Sequence, residues 1–357
     1  MYQGTHLRTL VPRKGGLGMV LLKGDSTAQI EKRRQSGLSS TLTIFIIIVG
    51  ISVLLGLIKR EFFTLVNFWV VAGSFTITAI VGLAQMIIIG CGGMNLAVGS
   101  IGGLAGIIAG GLMDRFGAST FVSILVGLCV GIVCGVINGL LIIRSGSSGV
   151  AFFLITLATS SVFKGINQGL TNGTPFYNLQ ESFVAIGNNN FLGVPILLWV
   201  MIVVAIIVGL GFKYTGIGRE ILAVGGNIRC AELSGVPIKR IVIIANILSG
   251  LLAAIAAMLL VARLGSAQPD VGSDWMLFSF AAPLIGGTRL AGGKVNTTGA
   301  VLGAILLALI SNGLVHLNVD VYWMTLIQGA IILISVGIER IRTVSMEKMQ
   351  RKERESL

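Results

Sequence analysis

The sequence is poor in charge, in cysteine and in every motif that marks a catalytic or metal site. Its four cysteines, Cys91, Cys129, Cys134 and Cys230, show no CxxC spacing, which argues against zinc or a disulfide framework and for small packing residues. There is no GxSxG, no HExxH and no carboxylate pair set for acid–base work, and His316 stands without a second ligand. The nearest approach to a phosphate loop, TRLAGGK at 288–294, lacks the opening glycine and, at Val295, the metal-binding hydroxyl. The chain is therefore not read as an enzyme, and no cofactor or metal is expected on it. Aromatic residues do not interleave with basic ones, so the net charge of +12 is not a nucleic-acid signature.

What the chain has in abundance is apolar surface and glycine: 54% of its residues are hydrophobic and 50 of its 357 residues are glycine, without collagen spacing. A helix needs roughly 20 apolar residues to cross about 30 Å of hydrocarbon. Suitable stretches lie at 41–58, 65–90, 97–113, 119–143, 150–166, 195–212, 241–262, 297–318 and 321–338. A shorter one, 275–287, holds Pro283 and ends in Gly286–Gly287, and reads as a broken or re-entrant element inside a bundle. The expected fold is an all-α membrane protein of about ten transmembrane segments, the short broken one included, spanning 41–340. Basic tails flank it at 1–40 and 341–357. The first stretch is too long for a signal-peptide core and should remain as an anchor. With both termini in the cytoplasm, only Lys59, Arg60, Arg115, Arg263 and the boundary Lys164 of 26 basic residues fall elsewhere, which fixes the expected orientation.

No Asp, Glu or Arg lies within these ten segments. Ion- and proton-coupled carriers commonly hold ionisable groups at mid-membrane despite a cost of about 2.5–3.5 kcal/mol each. Neutral polar groups are present instead: Ser74, Thr78 and Gln85 on one helical face, Thr156, Thr159 and Ser160 on another, with Asn95, Ser100, Asn138 and Asn246 nearby. They suit either a weakly polar path for a neutral, hydroxyl-rich solute or hydrogen bonds between helices. Two glycine ladders, Gly102–Gly106–Gly110 and Gly127–Gly131–Gly135–Gly139, allow close helix approach. Packing is the preferred reading, and a narrow pathway or sliding helices the alternative.

One internal polar segment carries a cluster of basic residues: 213–241, reading KYTGIGREILAVGGNIRCAELSGVPIKRI. Thr215–Gly216 and Gly218 break the preceding span, and a helix-capable stretch runs from Arg219 to Val224. Gly225–Gly226 then interrupts. Asn227 caps a short helix over 228–234, Gly235 stops it and Pro237 prevents continuation. The segment is either a plain connection or a short helix offered to a cytoplasmic partner.

The run GREILAVGGNIRCAELSGVPIKR resembles the inner loop of ABC-importer permeases for ribose, xylose, arabinose, galactosides and related solutes, whose pattern is close to GR-x-x-x-A-x-G-x-N-x-x-A-A-x-x-S-G-I. The resemblance recurs in GGMNLAVGS (92–100), GVINGLLI (135–142), FFLITLA (152–158) and LIGGTRLAGGKVNTTGAVLGA (284–304), and covers about 40–340. It implies a permease subunit of the bacterial cytoplasmic membrane. Its partners would be ABC ATPase subunits, a second permease subunit (identical or paralogous) and an extracytoplasmic solute-binding protein, with ATP and Mg on the ATPase. By resemblance, Arg219, Gly225, Gly226, Asn227, Ala231, Ser234 and Gly235 would couple to the ATPase. Gln85, Asn95, Ser100, Asn138, Thr156 and Thr159 are the candidate path. Loops 167–194 and 263–276, the latter with Asp270, Asp274 and Trp275, would face the binding protein. The chain departs from the family at Asn95–Leu96–Ala97, where Asp-Leu-Ser is usual, at Ser147–Ser148–Gly149, where a proline is missing, and at Cys230 in place of Ala. These departures bear on the solute more than on the mechanism. A passive pore for a neutral solute, or a permease for nucleosides or amino acids, remains the alternative.

Overall fold

The computed structural model describes residues 25–320, Ser148 excepted, and isolated residues between 323 and 337; side chains are described from Thr41 onward, those of Arg60 and Leu277 apart. The expected C-terminal tail and most of the N-terminal tail lie outside the described residues, and the stretch 321–338 is described only at isolated positions. The chain divides into two compact units, 1–39 and 40–357. In the first, 25–39 is helical.

Twelve α-helices are described: α1 (Asp25–Ile58), α2 (Leu65–Gly90), α3 (Val98–Phe116), α4 (Thr120–Arg144), α5 (Gly149–Thr171), α6 (Glu181–Asn188), α7 (Ile196–Tyr214), α8 (Gly216–Gly226), α9 (Ile228–Leu233), α10 (Ile238–Leu264), α11 (Trp275–Ile285) and α12 (Thr297–His316). Among the described residues the only strands form a two-residue hairpin, Asn190–Phe191 against Val194–Pro195. Among the described residues seven helices are long and apolar enough to cross a membrane: the Thr41–Ile58 part of α1, α2, α4, α5, α7, α10 and α12. This is a multi-pass membrane protein. Of the other expected segments, 97–113 forms α3, whose glycines and Asp114–Arg115 end dilute its hydropathy, and 275–287 forms the short α11.

Helices α2 and α10 are buried along most of their length, whereas α4, α5 and α7 turn most of their apolar side chains outward, as lipid-facing helices do. The glycine ladder of α4 packs onto α10: a Cβ at Gly131 would sit 2.5 Å from the Gly250 carbonyl oxygen, and one at Gly135 2.5 Å from that of Asn246. The α3 ladder meets the same helix one side over, Gly102 at Ala253 and Ala257, Gly106 at Ala257 and Val261. Lipid supplies no hydrophobic force between helices, so this close backbone approach, with its dispersion contacts, is what joins them.

Candidate functional site

The chain leaves helical geometry twice inside the bundle, and polar side chains meet the backbone groups thus exposed. The first break, 91–97, joins α2 to α3. Gln85, fully buried, pairs with both backbone groups of Asn95: its Nε2 donates to the Asn95 carbonyl (2.9 Å) and its Oε1 accepts from the Asn95 N–H (3.1 Å). The Asn95 side chain accepts from the Ala97 N–H at 2.9 Å and donates to Ser249 Oγ on α10 at 3.3 Å. From α5, Thr156 Oγ1 accepts from the Leu96 N–H (3.1 Å) and donates to the Phe152 carbonyl (2.6 Å). Ser100 reaches Ser160 at 3.1 Å, and Thr159 Oγ1 lies 3.3 Å from the Thr156 carbonyl.

Five of the six candidate path residues thus lie around one break, on α2, α3 and α5. All but Ser100 are buried within the protomer. The sixth, Asn138 on α4, is also fully buried, and neither of its amide atoms has a partner among the described residues. Sequence reasoning missed Ser249, whose signal, a lone serine on an apolar helix, does not distinguish it from its neighbours.

The second break, 286–296, joins α11 to α12. Asn296 caps α12 by accepting from the Gly299 N–H at 3.0 Å and reaches back to the Gly286 carbonyl at 2.9 Å. An asparagine therefore organises each break.

The coupling segment folds as two helices. Thr215 caps α8, accepting from the Gly218 N–H at 3.1 Å. Asn227 caps α9 by accepting from the Cys230 N–H at 3.1 Å, and Gly235, at φ +78°, ends it, with the Val236 N–H returned to the Ala231 carbonyl at 3.0 Å. The expected cap, short helix and stop are all present, α9 ending one residue earlier than expected. Ile228, Arg229, Cys230, Glu232 and Leu233 are exposed, and Leu233 is 79% exposed. Ala231 faces inward at 4%. Arg219 and Ser234 are at the surface too, Ser234 Oγ bonding the Cys230 carbonyl. Sequence reasoning missed Leu233 because the family pattern leaves that position free.

The expected outer loops are tied to each other: Phe176 and Ala267 exchange backbone hydrogen bonds of 3.1 and 2.9 Å. From there the chain follows α3 through a series of turns, the Val271 N–H bonding the Gln268 carbonyl at 3.2 Å, with Ala267 packing at Gly110, Val271 at Gly103 and Gly272 at Gly99. This descent covers about 16 Å at the helical rise of α3. Asp270 and Asp274 are exposed beside it, and with Gln268, Ser273 and Trp275 they line a cavity of about 150 Å³ that also touches Leu260 and Leu264 of α10.

Residues 64–336 match the family described as the branched-chain amino acid transport system / permease component, and the chain belongs to that family of membrane permeases. Among similar proteins are a ribose import permease of Bacillus subtilis, 33% identical over 84% of this chain and 91% of its own, and one of Haemophilus influenzae, 31% identical over 82% and 90%. A D-allose transport system permease of Escherichia coli is 30% identical over 84% and 91%. No solved structure matches the chain.

Proposed function

We propose that this chain is the membrane-spanning subunit of an ATP-driven importer in the bacterial cytoplasmic membrane, carrying a small neutral solute, a monosaccharide, inward. Its similarity to ribose and allose permeases over most of both chains supports the solute class. The observation that carries the mechanism is α9: a helix capped by Asn227, stopped at Gly235 and presenting Ile228, Arg229 and Leu233 outward between two long helices.

In this reading both termini are cytoplasmic, and α9 seats in a cleft of an ATPase subunit that binds ATP with its magnesium. Closure of two ATPases draws two permease copies, or two related permeases, through alternating access. An extracytoplasmic binding protein delivers solute at 167–194 and 263–276, where Asp270, Asp274 and Trp275 offer carboxylates and an indole. Gln85, Asn95, Ser100, Asn138, Thr156 and Thr159 line the path, and of these Gln85, Asn95, Ser100 and Thr156 also hold the broken backbone in place. ATP and the loaded binding protein each shift the equilibrium only by preferring one state over the other.

The test is capture of an ATPase by the tagged permease, followed by sugar uptake in vesicles holding both subunits and the binding protein. Retention of capture and uptake after Leu233→Asp together with Asn227→Ala would refute the assignment of α9.

A further inference from the structure

Three segments far apart in sequence meet backbone to backbone at the foot of the coupling segment. They are the end of α2 with Gly90 and Gly92, the end of α8 with Gly225 and Gly226, and the second break with Gly292 and Gly293. The Gly293 N–H donates to the Gly90 carbonyl at 3.2 Å. A Cβ at Gly292 would stand 2.7 Å from the Gly225 carbonyl oxygen and 2.8 Å from the Gly92 Cα, and one at Gly225 would overlap the Gly90 carbonyl oxygen. Gly92 and Gly292 lie at φ +83° and +84°, a region only glycine enters freely.

No side chain separates these strands of backbone, so there is no rotamer to absorb a displacement. Gly225 stands two residues before the Asn227 cap of α9. Gly92 stands three residues before Asn95, where the stretch that Gln85, Thr156 and Ser249 hold begins. Gly292 and Gly293 stand in the stretch that Asn296 closes onto α12.

We propose that this glycine junction is the positioning device that passes movement of α9 to both helix breaks at once, with Gly225 as its central residue. The inference rests on the reading of α9 as the ATPase-contacting helix. It separates Gly225 from its neighbour Gly226, although both belong to the same coupling pattern. A Cβ at Gly226 would meet only the Gly293 Cα, at an ordinary 3.8 Å. Gly226→Ala therefore leaves the junction intact, whereas Gly225→Ala forces it open.

Cys91 lies in the first break and is 4% exposed, which makes its thiol a reporter of that break. The experiment uses the permease–ATPase complex in vesicles, with Cys129, Cys134 and Cys230 replaced by serine or alanine. The labelling rate of Cys91 by a membrane-permeant maleimide is measured with and without ATP and vanadate. Nucleotide should change this rate in the parent and in Gly216→Ala, where an added Cβ meets nothing within 4 Å. In Gly225→Ala that change should shrink by a factor of roughly 2 to 30, the range in which residues on a coupling route act. The comparison is made on complexes that have captured the ATPase.

Should Gly225→Ala fail to accumulate, Gly90→Ala replaces it. Its Cβ would meet the Val295 Cγ1 at 2.8 Å, so Val295→Ala should restore the nucleotide response in the double variant. Equal nucleotide responses in the parent, Gly225→Ala and Gly90→Ala overturn the inference while leaving the α9 reading in place. Failure of the parent to capture an ATPase overturns both.

Discussion

Gln85 holds Asn95 by both of that residue's backbone groups, at 2.9 and 3.1 Å, across the point where α2 gives way to α3. Side chain and backbone are buried together, so neither amide group has water to fall back on. A carboxamide is the one neutral side-chain group that offers a donor and an acceptor side by side.

Gln85→Leu keeps the volume close to native and removes both bonds. Each orphaned backbone group costs about 1–3 kcal/mol. The purified protein should melt several degrees lower. Gln85→Glu should do so at neutral pH as well, where a carboxylate would face the Asn95 carbonyl, but recover as the pH falls and the protonated acid supplies both a donor and an acceptor. Thermal unfolding in detergent, followed by thiol exposure at Cys91, measures both.

At α9 the cap and the exposed face separate experimentally. Asn227→Ala should weaken the helix by about 1 kcal/mol, and Asn227→Ser should restore most of it. ATPase capture should follow the same order, because the cap preorganises a six-residue helix that cannot stand alone.

Leu233→Asp and Ala231→Leu should fail in different ways. Leu233 is exposed, so its substitution should leave melting unchanged and lower ATPase affinity. Ala231 is enclosed, so a larger side chain there should lower melting, by about 1–3 kcal/mol in stability. Binding titrations and melting curves on both variants distinguish them.

The α4–α10 contact gives a packing test. Gly135→Ala pushes a methyl group against the Asn246 carbonyl and the Ile247 Cα, at 2.5 and 2.8 Å, and should destabilise by about 1–3 kcal/mol. Gly50→Ala has nothing within 4 Å and should be neutral or slightly stabilising. Melting of the two single variants decides this.

What could be read from the sequence was local. The cap at Asn227, the stop at Gly235 and Pro237, and the shortness of α11, Trp275–Ile285, ahead of Gly286–Gly287 each depend on a handful of adjacent residues. The pairing of Gln85 with Asn95 was not legible, because it closes over a non-helical stretch to which no periodicity applies. Nor was the descent of 267–272 along α3: a run of turns on a glycine face has no periodicity of its own, and its polar residues read as a plain outer loop. The inward turn of Ala231 was hidden because a family pattern names residues without saying which way they face. Asn138 joined the path candidates on type alone; its burial was invisible, and among the described residues nothing supplies its amide with a partner.

The central claim is that this neutral bundle is driven through α9 by an ATPase. The most direct measurement is accumulation of a labelled aldose in proteoliposomes containing the permease, its ATPase and the binding protein, with ATP enclosed or withheld. The account predicts concentrative uptake that needs ATP and disappears with Leu233→Asp. Equal equilibration of the sugar without ATP, and in vesicles holding the permease alone, would contradict it.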